Sequence, residues 1–415
     1  MLTGYRHMRC GLIGEKLGHS FSPQIHEKLC DYAYRLFELP NEAAVGEFLR
    51  QGDFDALNVT IPYKQTVIPF LSGMTDEARR IGAVNTIRKT ADGSLYGYNT
   101  DYYGFSALIR TAGIRMKGRK VLVLGSGGAS RTARTVCADL GADPVIVISR
   151  SGPENYGNLE RHRDAQVIVN CTPVGMFPHN GVSPVDLSLF PYLEGVLDMI
   201  YNPAVTALLY QAQSRGIPCA NGLTMLVAQA LQSCGIFLDK AIPESEIGRI
   251  TGLLQKQMGN IVLVGMPGSG KSTVACLLAD RTGRTVLDTD VMITKETGRT
   301  PADWIREEGE AAFRGVESAC VAEAGKRSGI ILATGGGVVT RKENYLPLHQ
   351  NGRIYFLDRD PEVLPLSDRP LSQLTGVMQL YRERLPLYQS FADCIIANRG
   401  TPEEAARQIL EDYFS

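Results

Sequence analysis

The chain has no C-x-x-C pair, no excess of either charge, and no apolar run near the ~18 residues that a membrane-spanning helix needs. Each absence removes a class of function. Nine scattered cysteines without a short secreted frame read as reduced, mostly buried thiols of a cytoplasmic protein. Residues 1–9 carry no signal-peptide core, which points to the same compartment. With 43 Lys and Arg against 44 Asp and Glu, the net charge is −1, and neither a nucleic acid nor an acidic membrane surface is an expected partner. What remains is an ordinary soluble composition, 44% hydrophobic and 21% charged. The length of 415 residues leaves room for roughly two to four domains.

The most specific stretch is I-V-L-V-G-M-P-G-S-G-K-S-T, from Ile261 to Thr273. An apolar strand runs into G-x-x-x-x-G-K-S, and a helical run follows: the setting of a P-loop. Gly268, Ser269, Gly270, Lys271, Ser272 and Thr273 form the expected phosphate cradle. Lys271 suits the β- and γ-phosphates, and the Ser272 hydroxyl suits Mg²⁺. P-loop domains begin near their first strand, so the residues before about 258 belong to something else.

Upstream, strand Cys10–Gly14 precedes Ser20, Ser22 and Pro23, which place hydroxyls and free N–H groups at a helix start. That suits a carboxylate, or simply N-capping by Ser22. Strand 56–62 leads to Lys64, where open α/β sheets tend to carry catalytic groups. The pieces 82–86 and 97–101 end in the polar residues Asn85, Thr86, Asn99, Thr100 and Asp101, a set suited to a polyhydroxylated ring. A second strand–turn–helix follows at Gly125, Gly127, Gly128, Ala129 and Ser130, a dinucleotide turn. The next strand ends in Ser149-Arg150 and not in an acid, which favours a 2′-phosphate and hence NADP, unless Arg150 is only surface charge. A helix opens after Gly222 with Leu223, Leu226, Val227 and Ala230 on one face and Gln229 off it. Beyond the P-loop, Asp288 and Asp290 end a strand one residue apart, so the pleat would point both the same way, toward Mg²⁺ and a phosphoryl acceptor; the alternative is a helix-capping pair. Arg314 and Glu317 lie three apart on a helix and can pair. Gly335-Gly336-Gly337 lets a ligand approach backbone, and Arg369 and Arg384 add two cations.

Two family resemblances rest on these residues. The ordered set G-H-S-F-S-P, N-V-T-I-P-Y-K, G-A-V-N-T and G-Y-N-T-D-Y-Y-G-F, followed by N-C-T-P-V-G-M and L-D-M-I-Y-N-P, resembles shikimate dehydrogenase. The resemblance implies Ser20 and Ser22 on the substrate carboxylate, Thr60, Asn85 and Asp101 on ring hydroxyls, and a catalytic Lys64–Asp101 pair. It also implies Tyr201 and Gln229 at the substrate, and Met199 and Gly222 with the cofactor. Glu15-Lys16 and Glu27 depart from the family pattern, and the stretch 151–164 is short, so a loop is expected where a helix usually follows Arg150. The set G-M-P-G-S-G-K-S, L-D-T-D, F-R-G-V-E, T-G-G-G, D-R-P-L and R-L-P-L-Y resembles shikimate kinase. That resemblance implies Asp290, Arg314, Gly336 and Arg384 on shikimate, with Arg314 and Arg384 on its carboxylate. It implies Trp304 and Phe313 as pocket walls, and Arg369 as a lid arginine facing the phosphates. The lid segment 361–367 is short and lacks the arginine expected over adenine.

The expected fold is α/β throughout. It comprises a mixed-sheet substrate domain (1–102, completed by helices within 222–257), a Rossmann NADP domain (103–221) and a P-loop nucleoside-kinase-like domain (258–415). The expected function is bifunctional: NADPH-dependent reduction of 3-dehydroshikimate, then Mg²⁺·ATP-dependent phosphorylation of shikimate, with Lys64, Asp101, Lys271, Asp290 and Arg369 catalytic. The partners are these small molecules, and the oligomeric state is left open. Two other readings fit the same residues: one half kept as a non-catalytic sensor, or both activities directed at quinate or another polyol acid. Arg150→Asp should lower the NADPH-over-NADH preference by roughly ten- to a hundredfold, the worth of one charge-assisted hydrogen bond. Steady-state kinetics with both cofactors checks it, and an unchanged ratio would reduce Arg150 to surface charge.

Overall fold

The computed structural model describes residues 2–18, 20–364 and 376–415. They form two compact units. Unit 1 comprises 1–174, 183–201 and 208–253, and unit 2 comprises 175–182, 202–207 and 254–415. Among the described residues, no helix is long and apolar enough to cross a membrane.

Unit 1 holds two sheets. The first contains β1 (Arg9–Gly14), β2 (Ala33–Glu38), β3 (Ala56–Val59), β4 (Gly73–Met74), β5 (Thr86–Lys89) and β6 (Leu95–Tyr98), in the order β2-β1-β3-β5-β6-β4. It is mixed: β1 runs parallel to β2 and β3, while β5 is antiparallel to both β3 and β6. The reversal at β5 brings Asn85, just ahead of that strand, beside the end of β3, where Val59 N–H donates to the Asn85 carbonyl at 2.8 Å. The second sheet contains β7 (Val121–Leu124), β8 (Val145–Ile148), β9 (Val167–Asn170), β10 (Gly195–Asp198) and β11 (Cys219–Ala220), all parallel, in the order β11-β10-β9-β7-β8. Strands β7, β9 and β10 are buried along their whole length, as parallel strands covered on both faces must be. The order reverses at β7, so the crevice for a ligand opens at the turn from Gly125. Between β8 and β9 the only helical element is a one-turn 3₁₀ helix, Leu159–His162, where a full helix would ordinarily cross.

Unit 2 contains β12 (Asn260–Val264), β13 (Val286–Asp288), β14 (Ile331–Ala333), β15 (Gly352–Asp358) and β16 (Cys394–Ala397), all parallel, in the order β13-β14-β12-β15-β16. Alternate residues feed two cores. Val262, Val264, Leu332, Ile354 and Phe356 face one way, and Ile261, Leu263, Ile331, Tyr355 and Leu357 the other. The strand order again reverses at β12, immediately before the P-loop.

One backbone contact in unit 2 leaves no room for a side chain. A Cβ on Gly325, at the end of helix Glu310–Gly325, would lie 2.1 Å from the Pro347 carbonyl oxygen. Gly325→Ala should therefore destabilise unit 2 by ~1–3 kcal/mol through overpacking. Trp304 is the only tryptophan, so its fluorescence during urea unfolding reports on this unit. An unchanged midpoint would contradict the close approach of Gly325 to Pro347.

Candidate functional site

In unit 1 the chemistry gathers where β3, β5 and helix Thr100–Thr111 meet. The Lys64 ammonium donates to Asp101 Oδ2 at 2.5 Å, with both side chains partly buried. Lys64 follows β3, and Asp101 sits in the first turn of the helix. The helix start is fixed by Asn85, whose Oδ1 accepts from Thr100 N at 2.7 Å and from Thr100 Oγ1 at 3.2 Å. With that oxygen occupied, the Asn85 NH₂ is the group left to donate to a substrate oxygen.

Beneath this pair lies a buried polar network that the sequence reading did not identify. Asn58 Nδ2 donates to Ser233 Oγ at 2.8 Å and Thr86 Oγ1 at 3.1 Å, while Tyr34 donates to Asn58 Oδ1 at 2.7 Å. Ser233 Oγ also lies 3.1 Å from both Thr86 Oγ1 and Thr100 Oγ1. The members come from β2, β3, β5, helix Thr100–Thr111 and helix Leu223–Leu238. Gln229, one turn before Ser233, donates to the Leu226 carbonyl and lies 3.5 Å from Thr100 Oγ1. Nearby, His26 stacks on Tyr34 with ring centroids 4.0 Å apart, and burial pushes its pKa down to about 3. The only sequence signal for this network was a set of polar residues inside otherwise apolar runs, such as Asn58 in A-L-N-V.

One local expectation is corrected. Ser22 does not cap its helix. Phe21 is the N-cap residue and Ser22 the first helical residue, its N–H donating to Ser20 Oγ at 3.2 Å. Pro23 sits in the first turn, where its fixed φ and missing N–H are tolerated. Both hydroxyls stay at the helix start. Thr60, after β3, donates its N–H to Ile13 at 3.0 Å.

At the dinucleotide turn, Gly125 has φ +101°, and Gly127 precedes helix Gly128–Asp139. Nothing lies within 4 Å of a Cβ built on Gly127 or Gly128, which leaves the helix N-terminus open to a pyrophosphate. Ala129 and Ser130 occupy the first turn of that helix, Ser130 buried. Arg150 is exposed at the end of β8 and makes no hydrogen bond or ion pair among the described residues, while Ser149 Oγ accepts from Gly152 N at 3.0 Å. These groups fit NADP. Met199 follows β10, its carbonyl packed against Gly222, and Tyr201 meets the Phe21 ring edge-on at 6.0 Å.

In unit 2 the P-loop has the backbone its glycines permit, with Gly268 at φ +80° and Gly270 at φ +91°. The Lys271 ammonium is buried and donates to the Gly265 and Met266 carbonyls, each at 2.9 Å. Ser269 Oγ is buried without a partner, a polar atom for which a phosphate would provide one. Asn398, at the end of β16, donates to the Ser269 carbonyl at 2.7 Å and braces the loop; the sequence reading passed over it. The exposed Ser272 hydroxyl donates to Asp288 Oδ2 at 2.9 Å. Two hard oxygens at the loop suit Mg²⁺, which takes few protein ligands and keeps its waters. Thr273 is exposed beside them.

The shared pleat expected for Asp288 and Asp290 is not present. β13 ends at Asp288, which caps helix Thr289–Thr297 by accepting from Asp290 N at 3.0 Å. Asp290 is in the first helical turn. The helix, not the strand, separates the two carboxylates, and it turns Asp290 toward Gly335, where a Cβ would lie 2.9 Å from Asp290 Oδ1.

Arg314 is buried, with Nη1 2.6 Å from Glu317 and Nη2 2.9 Å from Glu310. Burial works against its charge, but the two carboxylates outweigh burial and hold its pKa above the ordinary arginine value. Burial raises the Glu317 carboxyl, and Arg314 offsets that only in part. The guanidinium lies against Gly337, the last of the glycine triplet: a Cβ there would meet Arg314 Nη2. Arg384 donates to the Gly336 carbonyl at 3.1 Å, and Tyr388 donates to the same oxygen. Asp290, Arg314, Gly336 and Arg384 thus share one small region. Trp304 packs on the Ile293–Phe313–Cys320 cluster beside it. Arg369, with the D-R-P-L motif, lies outside the described residues.

Unit 1 therefore has the parts of a nucleotide-dependent dehydrogenase with an acid–base pair, and unit 2 those of a small-molecule P-loop kinase. The comparisons with known proteins name the particular families. The profile described as "Shikimate dehydrogenase substrate binding domain" matches residues 12–87, and that described as "Shikimate kinase" matches residues 267–413. A shikimate dehydrogenase (NADP⁺) of Clostridium perfringens is 37% identical over 259 residues, covering 57% of this chain and 95% of the relative. A crystal structure of a chorismate mutase/shikimate 5-dehydrogenase fusion from Clostridium acetobutylicum is 38% identical, with a TM-score of 0.55, over 60% of this chain and 97% of that one. The Thermus thermophilus shikimate 5-dehydrogenase, solved with NADP(H) and shikimate, is 30% identical with a TM-score of 0.53, over 60% and 98%. The chain belongs to the shikimate dehydrogenase family and carries a shikimate kinase domain behind the dehydrogenase.

Gly337→Ala should displace the Arg314 guanidinium and lower kcat/KM for shikimate phosphorylation on the order of 10²-fold, while NADPH oxidation is unchanged. Assaying both activities on one preparation checks this. An unchanged phosphorylation rate would remove Arg314 from the acceptor site.

Proposed function

We propose that this chain catalyses two successive steps: it reduces 3-dehydroshikimate to shikimate, and it phosphorylates shikimate on the hydroxyl so formed. What supports the reading is a Lys64–Asp101 pair at 2.5 Å in the same chain as a P-loop whose Ser272 hydroxyl meets Asp288 at 2.9 Å. The domains are assigned as 1–102 with 222–257 for the substrate, 103–221 for NADP, and 258–415 for the kinase. The setting is cytoplasmic aromatic biosynthesis.

When bound, NADPH supplies a hydride to the ring carbonyl carbon, and Mg²⁺·ATP supplies the phosphoryl group. The protein handles the rest. Ser20 and Ser22 hold the substrate carboxylate. The Asn85 NH₂, Thr60, Gln229 and Tyr201 orient the ring. Lys64 gives its proton to the carbonyl oxygen as the carbon is reduced, and Asp101 holds the ammonium and the ring hydroxyl in line. Positioned proton transfer of this kind is worth about 10²–10⁴ in rate. In the kinase, Arg314 and Arg384 take the carboxylate, and the Gly336 backbone borders the ring. Asp290 accepts the proton of the attacking hydroxyl or orients it, Lys271 moves from the loop carbonyls to phosphate oxygens, and Ser272 with Asp288 would hold the metal. Arg369 would face the transferring group.

The two chemistries use separate residues and should fail separately. Lys64→Ala should cut NADPH oxidation by ~10²–10⁴ and leave phosphorylation near wild type, and Lys271→Ala should do the reverse. Loss of both activities from either change in a folded protein would overturn the proposal.

A further inference from the structure

In the parallel sheet of unit 1, β9 reads V-I-V-N and β10 reads G-V-L-D, so each strand turns polar only at its last residue. Both of these residues, Asn170 and Asp198, are fully buried. A carboxylate in such a place is costly unless hydrogen bonds replace its water. Asp198 Oδ1 accepts from Asn170 Nδ2 and from Ile200 N–H, each at 3.0 Å. Asn170 Oδ1 in turn accepts from Thr172 N–H at 3.0 Å and from Thr172 Oγ1 at 2.7 Å. The Thr172 hydroxyl then accepts from Val174 N–H at 3.2 Å. A single relay of side chains thus ties the loop after β9 to the turn after β10.

Each end of the relay borders the dinucleotide crevice. A Cβ on Gly125 would lie 3.1 Å from Thr172 Cγ2 and 3.3 Å from the Cys171 carbonyl oxygen, so the Gly125 turn rests on the loop after β9. At the other end, Met199 N–H donates to the Asn170 carbonyl at 3.0 Å, and the Met199 carbonyl packs against Gly222, where no Cβ would fit. These are the carboxyl ends of the strands, the edge at which open parallel sheets take their ligands. Apolar side chains could fill the same space, but only hydrogen bonds orient both loops. We infer that Asp198, Asn170 and Thr172 are positioning residues for NADP, holding the Gly125 turn and Met199 in register across the crevice. This rests on the dehydrogenase reading above, and adds to it three residues that act through the cofactor bed.

The test uses the full chain and reads cofactor binding directly, by titration of NADPH fluorescence without substrate. Thr172→Val removes the hydroxyl at nearly constant volume, and Thr172→Ser keeps it. Thr172→Val should raise the Kd for NADPH about three- to tenfold, and Thr172→Ser should leave it within about twofold of wild type. The KM for NADPH should follow the Kd, while the KM for 3-dehydroshikimate and the rate of shikimate phosphorylation stay within about twofold. Asp198→Ala cuts the relay at its other end and should raise the same Kd at least about threefold; if it does not fold, the threonine pair decides. An unchanged Kd in folded Thr172→Val, an equal loss in Thr172→Ser, or a parallel rise in both KM values overturns the inference. A wild-type chain that binds no NADPH overturns the underlying reading as well, whereas a binding wild type with insensitive variants overturns this inference alone.

Discussion

The dehydrogenase site depends on one buried knot of neutral hydrogen bonds, Asn58 with Ser233, Thr86 and Thr100. Each member sits on a different element, and each group would cost ~1–3 kcal/mol if left buried without a partner. The elements therefore adopt the one arrangement that satisfies all of them. That arrangement sets the start of helix Thr100–Thr111, and the helix start sets Asp101 against Lys64. A hydrophobic core alone tolerates sliding by a fraction of an ångström; a satisfied polar network does not. The Lys64–Asp101 pair stays partly exposed, while the groups that aim it are buried beneath.

The kinase site solves the same problem with charge. Arg314 is buried, which is costly for a cation, and Glu317 and Glu310 offset that cost. The carboxylates also hold the guanidinium flat against Gly337, where no side chain blocks it. On the proposed assignment, a substrate carboxylate would meet a cation already desolvated and oriented there, with Arg384 fixed close by on the Gly336 carbonyl.

Much of this was legible in the sequence where function is local. The P-loop, the dinucleotide turn and the glycine triplet each lie within a few residues of a strand end, so a short motif carries the strand, the turn and the chemistry together. Where one residue decides a boundary, local patterning is ambiguous. Asp288 is at once the last strand position and the cap of the next helix, so the strand stops before it reaches Asp290. Ser22 and Phe21 differ by a single step at a helix start. What could not be read was long-range. Asn58 and Ser233 are 175 positions apart, and Asn180 and Gln350 are 170 apart. Nothing in either local stretch announces the other, because polar pairing across a fold leaves no periodicity in the chain.

The central claim is that one chain performs both steps in order. The most direct measurement is mass spectrometry of the products after the purified full chain is incubated with 3-dehydroshikimate, NADPH and Mg²⁺·ATP together, and with each cofactor withheld in turn. The account predicts shikimate 3-phosphate when all are present, shikimate alone without ATP, and unreacted 3-dehydroshikimate without NADPH. Accumulation of unphosphorylated shikimate in the complete mixture, or phosphorylation of 3-dehydroshikimate without reduction, would contradict it.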